Sequence, residues 1–334
     1  MTRVQELAEY LAGIDSLAII CHDNPDPDCI ASALALSAIA KFSGVEDTEL
    51  FYGGTISHQQ NRAFINLLHV NLEHTESFDP ERFDKIAFVD HATPAGHTEL
   101  KAVTPDIVID HHSTEEPKCD FVDLREEYGS TAAILVEYIR DLGMEMNVQL
   151  GSALLFALHR ERIDFIRDPT SHEYEAALYV YPHADLELLE RLYGAAFSPA
   201  TVDAIGEAIR NRVQRGATLA TSAGRTSERD ALAQAADYLL NVEGVDTVLV
   251  FGIVNDAVDM SARSIDPRVH AGNVLQQAFD DVGSAGGHAD MAGAQIPLGL
   301  FADSNADDGE LVDFASRRVL HRFFDALHLE RGEE

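Results

Sequence analysis

Three short apolar runs in the first 112 residues each end directly in an acid or an imidazole. The runs are SLAIIC, KIAFV and DIVI, and they are followed by His22, Asp90 and Asp110. Continuous apolar runs of this length predict strands that are buried on both faces. Helical stretches separate them, and strands that alternate with helices predict a mostly parallel, doubly wound α/β sheet. In such a sheet the carboxyl ends of the strands face a common crevice, so we expect these polar side chains to meet.

The rest of the chain predicts a second, smaller α/β domain. Residues 174–215 have a helical pattern with one polar face, and a strand-like run, TVLVFGIV, begins at Thr247. A helix, a Gly-rich loop at 283–288, another strand and a closing helix are predicted after it. We therefore expect a first domain over residues 1–195, a helical linker over 196–225 and a second domain over 226–334.

The charge of the chain is strongly negative and evenly spread. Its 57 acidic residues outnumber 24 basic ones for a formal net charge of -33, and only four of the basic residues are lysines. This composition is typical of a protein from a halophile. At about 1 M salt the Debye length falls to roughly 3 Å, so long-range capture of nucleic acid is not expected. No apolar run approaches the roughly 18 residues of a membrane helix, and the N-terminus does not resemble a secretory signal, so we expect a cytoplasmic protein without membrane partners.

The segment after the first predicted strand, HDNPDPD, concentrates side chains that bind metals. His22, Asp26 and Asp28 lie within seven residues, between a predicted strand and a predicted helix. Either Asp could instead cap that helix and interact with its dipole. The trio together favours a metal site. The flanking Cys21 and Cys29 lack a C-x-x-C spacing, and we expect them to be small buried residues.

Two further strand ends complete the predicted site. Asp90 follows the second apolar run, and Asp110, His111 and His112 follow the third. Two divalent ions that share a carboxylate form the usual hydrolytic centre for phosphate esters. Mixed carboxylate and imidazole ligands suit manganese better than calcium or a structural zinc ion. The sequence therefore predicts a metal-dependent phosphoesterase site at this edge of the sheet.

The motifs, in this order, resemble those of the DHH phosphoesterase family with a C-terminal DHHA1 domain. In the first half they are His22-x-x-x-Asp26-x-Asp28, Asp90, Asp110-His111-His112 and Gly129-Ser130-Thr131; in the second half they are Ser261-Ala-Arg263-Ser264 and Gly286-Gly287-His288. The resemblance extends from about Leu17 to Leu298. It is strongest to the branch that contains oligoribonucleases (nanoRNases) and 3′-phosphoadenosine 5′-phosphate (pAp) phosphatases.

The resemblance implies a role for each residue of the first half. One ion, expected to be Mn²⁺, would be held by His22, Asp26 and Asp90. A second ion would be held by Asp28, His111 and the bridging Asp90.

Other residues would act around these ions. His112 would donate a hydrogen bond to the scissile phosphate or the leaving group, and Asp110 would orient its neighbours. Substrate would be bound by Ser130 and, in the second half, by Arg263 and the backbone around Gly286, Gly287 and His288.

The sequence departs from the family pattern at two positions. Where the family has a further metal-binding Asp, this chain has Glu161, and Asp164 lies one turn further on. Either carboxylate could complete the second ion site. Ala285 replaces the first glycine of the C-terminal motif, which would restrict the backbone there.

The substrates that we expect are short oligoribonucleotides, dinucleotides or pAp. A RecJ-like single-strand exonuclease is an alternative, but the chain lacks tryptophan and a basic stripe for stacking along a strand. A polyphosphatase and a non-catalytic nucleotide-binding or replication scaffold are further alternatives. Family resemblance also makes a homodimer a possible assembly.

Overall fold

A computed structural model of the chain describes residues 2–56, 58–93, 100, 103–113, 117–161, 170–301 and 308–329. The chain divides into two compact units, Met1–Ala195 and Ala196–Glu334. Among the described residues, no helix is both long and apolar enough to cross a membrane.

The first unit is built on a six-stranded sheet in which every neighbouring pair is parallel. Its strands are β1 (Ser16–Ile20), β2 (Asp47–Tyr52), β3 (Glu73–His74), β4 (Lys85–Val89), β5 (Ile107–Asp110) and β6 (Phe121–Leu124). Its α-helices are α1 (Arg3–Leu11), α2 (Pro27–Phe42), α3 (Gln59–Leu67), α4 (Thr131–Asp141), α5 (Val148–Glu161), α6 (Ser171–Val180) and α7 (Leu186–Tyr193). The predicted α/β fold with a parallel sheet is confirmed.

Both faces of this sheet are buried, as the continuous apolar runs predict. Leu17 and Ile19 of β1 face a large core that also holds the buried residues of the helices. Ala18 and Ile20 face the opposite way and pack with Phe88 and other aromatic residues. Successive residues of a strand thus enter two different cores, and after Ser16 every side chain of β1 is apolar and buried.

The strand order is β3-β2-β1-β4-β5-β6. The chain therefore moves outward from β1 to β3, returns to the other side of β1, and continues through β4 to β6. The direction of winding changes between β1 and β4. In open α/β sheets the crevice at this switch point, beyond the carboxyl ends of the strands, is where ligands bind.

The second unit contains a six-stranded mixed sheet of order β11-β12-β10-β9-β8-β7. Its strands are β7 (Val213–Arg215), β8 (Thr218–Arg225), β9 (Thr247–Val254), β10 (Ala257–Ser264), β11 (Ser284–Gly287) and β12 (Met291–Pro297). Its helices are α8 (Pro199–Arg210), α9 (Asp230–Leu239), α10 (Ala271–Phe279) and α11 (Asp308–Ala326). Only the β8–β9 pair is parallel in this sheet.

Two segments of the second unit differ from the expected structure. Residues 196–225, expected to form a helical linker, contain α8 and also β7 and β8, and β8 pairs with β9 inside the sheet. The Gly-rich segment expected to be a loop contains strand β11, which pairs with β12. Glycine is needed there because a Cβ at Gly287 would lie 2.5 Å from the Cα of Ala292, and one at Gly272 of α10 would lie 2.3 Å from the Gly287 carbonyl oxygen. Gly287 is therefore required by its φ of +140° and by the close approach of β12, and Gly272 by the close packing of α10 on β11.

Candidate metal centre

Asp90 is the centre of a cluster of imidazoles at the switch point of the first sheet. Its carboxylate is buried at the end of β4. His22 Nε2 lies 3.5 Å from Asp90 Oδ2, and the Oδ1 atom lies 3.6 Å from His111 Nε2 and 3.9 Å from His112 Nδ1. These residues follow β1, β4 and β5, which are neighbours in the sheet. The structure thus brings together the three strand ends that the sequence singled out.

The spacing of these atoms fits ligands that share an ion. Hydrogen bonds to a carboxylate are usually about 2.7–3.2 Å long, so the separations around Asp90 are too long for strong direct bonds. Bonds of about 2.1 Å from one ion to nitrogen and oxygen place neighbouring ligand atoms roughly 3.0–3.5 Å apart. Asp90, His111 and His112 offer ligand atoms that lie within 4.8 Å of one another. The donor set is therefore suited to a divalent ion that accepts both imidazole and carboxylate.

Two of the imidazoles have the tautomer that a metal ligand needs. The Nδ1–H of His22 donates to the carbonyl oxygen of Asp23 at 3.0 Å, and that of His111 donates to the carbonyl oxygen of Tyr128 at 3.2 Å. A carbonyl can only accept, so in the neutral ring the lone pair is on Nε2, which faces Asp90. Backbone carbonyls commonly fix metal-binding histidines in this way.

Asp26 and Asp28 occupy different positions at the start of α2. Asp26 is the N-cap of the helix and accepts a hydrogen bond from the Cys29 amide at 3.0 Å. The capping role that was the alternative interpretation is therefore present. Asp26 is nevertheless close enough to His22 for its charge to help raise the pKa of that imidazole.

Asp28 is buried against the N-terminus of α4. Its two carboxylate oxygens accept hydrogen bonds from the amides of Thr131 and Ala132, both at 2.8 Å. Burial and the charges of Asp90 and Glu161 raise the pKa of Asp28 well above its usual range. Several carboxylates held together away from water repel one another, and a bound cation would relieve that repulsion.

The first residue of α4 belongs to the Gly-Ser-Thr motif, but the sequence assigned it no role. Thr131 Oγ1 donates to Asp90 Oδ1 at 2.8 Å. Ser130, which we predicted to bind substrate, is instead fully buried as the N-cap of α4, where its hydroxyl accepts from the Ala133 amide. The Gly-Ser-Thr motif could have revealed a cap, but only the tertiary structure shows that the threonine contacts Asp90.

Helix α6 holds the loop that precedes α4 in place. The buried carboxylate of Glu173 accepts hydrogen bonds from the Gly129 amide at 2.6 Å and from the amide and hydroxyl of Thr170. The ring of His172 stacks on Tyr128 with their centroids 4.0 Å apart. Because the Tyr128 carbonyl accepts from His111, α6 supports the orientation of that imidazole. It also supports the loop that leads to Thr131, the residue that donates to Asp28 and Asp90.

Asp90 and the imidazoles of His22 and His111 have shifted pKa values. Burial would lower the pKa of His22, but the close carboxylate of Asp90 and the charge of Asp26 raise it to about 10. Burial would raise the pKa of Asp90, yet the neighbouring imidazoles of His22, His111 and His112 hold it below its usual range. Burial lowers the pKa of His111, despite the opposing charge of Asp90.

Asp110 and His112 form a separate pair at the edge of the cluster. Asp110 is buried, and its Oδ1 lies 2.8 Å from His112 Nδ1. Burial would lower the pKa of His112, but this bond and the charges of Asp90, Asp110 and Glu161 raise it to about 9. At neutral pH His112 is therefore a cationic hydrogen-bond donor that is partly open to solvent.

Glu161 is the last residue of α5. Its charge raises the pKa values of both Asp28 and His112, which indicates that it lies near the centre. Asp164 is outside the described residues. The choice between these two carboxylates as a ligand stays a prediction.

The backbone at Asp90 has an uncommon conformation. Its φ angle is +64°, in the left-handed region that most side chains avoid. The next residue, His91, is buried and stacks on Phe88 with their centroids 4.5 Å apart, and its Nε2 has no hydrogen-bond partner among the described residues. Burial lowers the pKa of His91 to about 4, so the ring is neutral. In the sequence, only its position after Asp90 distinguishes His91.

The predicted substrate-binding residues of the second unit are engaged in part by the protein itself. Arg263 on β10 donates from Nε to Asp237 at 2.6 Å and from Nη1 to Ser261 and to the Ala262 carbonyl. Within the described part of the chain, its Nη2 atom has no partner. The amide of His288, predicted to bind phosphate, donates instead to the Met291 carbonyl at 2.7 Å. Gly286 and Gly287 lie in the edge strand β11.

Comparison with known proteins assigns a family to each half of the chain. Residues 16–158 match the DHH family, N-terminal domain, and residues 216–315 match the DHHA1 domain. An uncharacterized protein of Methanocaldococcus jannaschii is 38% identical over 286 residues, which cover 85% of this chain and 59% of that protein. The chain thus spans about three fifths of the length of this relative.

Two further proteins are similar to the chain, one in sequence and one in fold. A probable manganese-dependent inorganic pyrophosphatase of Streptococcus agalactiae is 25% identical over 163 residues, which cover 48% of this chain and 52% of that protein. The crystal structure of an exopolyphosphatase-related protein from Bacteroides fragilis matches 97% of each chain with a TM-score of 0.74 at 14% identity. At that identity the match shows a shared fold.

Proposed function

The chain belongs to the DHH phosphoesterase superfamily, and from this premise we propose that it is a metal-dependent hydrolase of short nucleotide phosphoesters. The observation that carries the proposal is the buried Asp90 carboxylate with three imidazole nitrogens 3.5–3.9 Å from its oxygens. Its substrates would be dinucleotides, short oligoribonucleotides or pAp.

The residues divide into two sets of ligands for divalent ions. One ion would be held by His22, Asp26 and Asp90. The other would be held by Asp28, His111 and the bridging Asp90, with Glu161 or Asp164 completing the set. Asp28 can serve because each of its oxygens keeps a lone pair beside its amide hydrogen bond. Manganese is favoured by the mixed donors and by the manganese dependence named for the pyrophosphatase relatives.

Bound divalent ions would supply a water that ionises near neutral pH and would neutralise charge on the phosphate. The protein itself supplies orientation and a proton. His112, whose pKa is raised to about 9 in the metal-free protein, would donate a proton to the leaving oxygen. Asp110 holds its ring by the opposite nitrogen, which keeps the donor edge in one orientation. Thr131 and the α4 amides keep the carboxylates in place without taking part in proton transfer.

Short substrates are favoured by the charge and composition of the chain. A net charge of -33 and the absence of tryptophan oppose a grip along an extended strand. Arg263 could contact a terminal phosphate through Nη2, since its other donors are already engaged. Pyrophosphate is the second candidate substrate, because the names of several relatives specify it.

The test is a side-by-side measurement of kcat/KM with Mn²⁺ at high KCl, the condition suggested by the acidic composition. The substrates would be a diribonucleotide, pAp, a twenty-nucleotide single strand, pyrophosphate and tripolyphosphate. We expect the diribonucleotide or pAp to give the highest value, and Asp90→Asn to remove the activity. A faster twenty-mer would indicate an exonuclease, and faster pyrophosphate a pyrophosphatase. Protein that binds no Mn²⁺ and releases no product from any of them would favour a non-catalytic scaffold.

A further inference from the structure

The cluster around Asp90 includes the thiol of Cys29, a type of ligand that manganese does not favour. Cys29 is the third residue of α2 and is fully buried. Its Sγ, a ring nitrogen of His22 and a carboxylate oxygen of Asp90 all lie within 4.8 Å of one another. Thiolate is a soft ligand that selects ions such as zinc, cobalt and cadmium over manganese. The combination of nitrogen, sulfur and oxygen therefore differs in chemistry from the set around His111 and His112.

The distances are close to those of a shared ion. Zinc bonds of about 2.0–2.3 Å to nitrogen, oxygen and sulfur place tetrahedral neighbours roughly 3.3–3.7 Å apart. His22 Nε2 and Asp90 Oδ2 are already 3.5 Å apart. The thiol lies no more than 4.8 Å from either atom, so it would need to approach them by about 1.5 Å at most.

The thiol has a weak alternative partner. Cys29 Sγ donates to the carbonyl oxygen of Val89 at 3.4 Å, next to Asp90 in the chain. Binding of a soft ion would replace this S–H···O contact by a sulfur–metal bond, and the thiol proton would leave to the solvent. Burial raises the pKa of the free Cys29 thiol, so the sulfur would be a thiolate only with the ion bound.

We propose that Cys29 is a further ligand of the ion held by His22, Asp26 and Asp90, and gives this site a thiolate that captures thiophilic divalent cations. The inference shares its site with the proposed function but predicts a different property, the preference among ions. Zinc or cadmium would then bind this site more tightly than manganese, and would displace it. The site would respond to the soft metals available to the protein as well as to manganese.

The test is titration of the metal-stripped, full-length protein with Co²⁺ alone, followed in the near ultraviolet. A cobalt–thiolate bond gives a charge-transfer band that nitrogen and oxygen ligands do not give. We expect the band in the wild type and in the control variants Cys21→Ser and Cys119→Ser, which change the other two cysteines. We expect it to be absent from Cys29→Ser, with Co²⁺ affinity measured by calorimetry at least tenfold weaker. Equal spectra for the wild type and Cys29→Ser would overturn the proposal.

A second measurement covers the case in which Cys29→Ser does not fold. The cadmium-113 resonance of the wild type loaded with Cd²⁺ should lie well downfield, where thiolate-bound cadmium is found. A resonance in the range of nitrogen and oxygen ligands alone would exclude Cys29. Neither readout uses hydrolysis, so the thiolate can be present in a protein that turns over no phosphoester, and a hydrolase can lack it.

Discussion

Thr131 donates its hydroxyl to Asp90 Oδ1 at 2.8 Å while its amide donates to Asp28 Oδ2 at the same distance. One residue at the start of α4 thus orients two carboxylates, one in the first turn of α2 and one at the end of β4. The Asp90 oxygen that it holds is also the one that faces His111. Partners of this kind, which orient ligands without binding the ion, commonly contribute 10–100-fold to metal affinity.

Replacement of the Thr131 hydroxyl should therefore weaken metal binding. Thr131→Val keeps the shape and the amide but removes the donor to Asp90, and we expect its dissociation constant for Mn²⁺ to rise by about 10–100-fold. Calorimetry or electron paramagnetic resonance measures this directly. Thr131→Ser is the matched control, because it keeps the hydroxyl, and its affinity should be near that of the wild type. Equal weakening in both variants would assign the effect to packing rather than to the hydrogen bond.

The Asp110–His112 pair predicts the pH at which His112 loses its proton. In the metal-free protein the ring should titrate at about pH 9, by NMR, against an ordinary value of 6.5. Asp110→Asn removes the charge that raises this pKa, so we expect titration at a clearly lower pH. Because the folded-state pKa is raised, the pair stabilises the protein fully below pH 6.5, and that stability is lost as pH rises toward 9. A wild-type His112 that titrates near 6.5 would contradict the pairing.

Glu161 is expected to affect the ion held by Asp28 and His111. Glu161→Gln removes the negative charge and should weaken one of two Mn²⁺ binding events by about tenfold or more while the other changes little. Glu161→Asp shortens the arm, and raised activity would mean that the natural residue weakens this ion site. Glu145→Gln, at an exposed position, is the control. Unchanged binding in Glu161→Gln would point to Asp164 as the ligand.

Glu173 should matter for stability rather than for chemistry. Its buried carboxylate accepts three hydrogen bonds, and a glutamine amide would turn one acceptor into a donor that faces other donors. We expect Glu173→Gln to lower the free energy of unfolding by about 1–3 kcal/mol in urea denaturation. Glu175→Gln, on the exposed side of α6, should change it by less than about 0.5 kcal/mol. The same loss in both variants would show that the buried bonds contribute nothing specific.

Arg263 should act in binding of the substrate. Arg263→Ala should raise KM for substrates with a terminal phosphate and leave kcat nearly unchanged, because the interaction would be made equally in the ground and transition states. Arg268→Ala is a suitable control, since Arg268 lies on the same unit with its side chain 83% exposed. An unchanged KM in Arg263→Ala would remove this residue from the site.

The strands of the first sheet could be predicted because burial on both faces leaves a continuous apolar signal. Strands β1, β4 and β9 agree with their predicted runs to within a residue. Strand β11 could not be predicted, since its sequence, SAGG, has low β propensity and is set by the close approach of α10. Strand β8 could not be predicted either, because its sequence, TLATSAGR, is rich in small residues and contains no continuous apolar run.

The site was predictable where function requires unusual residue types at strand ends. His22, Asp90 and His111 met as expected, because parallel neighbours bring their carboxyl ends to one edge. The partners that orient them were not predictable. Thr131 and Glu173 are ordinary helix-start residues in the sequence, and their roles depend on how α4 and α6 pack.

The left-handed backbone at Asp90 limits which residues can ever occupy the centre of this site. Among residues with a side chain, aspartate and asparagine tolerate a positive φ best, and the longer or branched ones add strain. Glutamate could not take over as the shared carboxylate without a cost in backbone energy, whereas at Glu161, in a helix, either acid is sterically acceptable. The backbone conformation at position 90 thus favours aspartate over glutamate. Among residues with a side chain, asparagine is the replacement that removes the charge while leaving the main chain undisturbed.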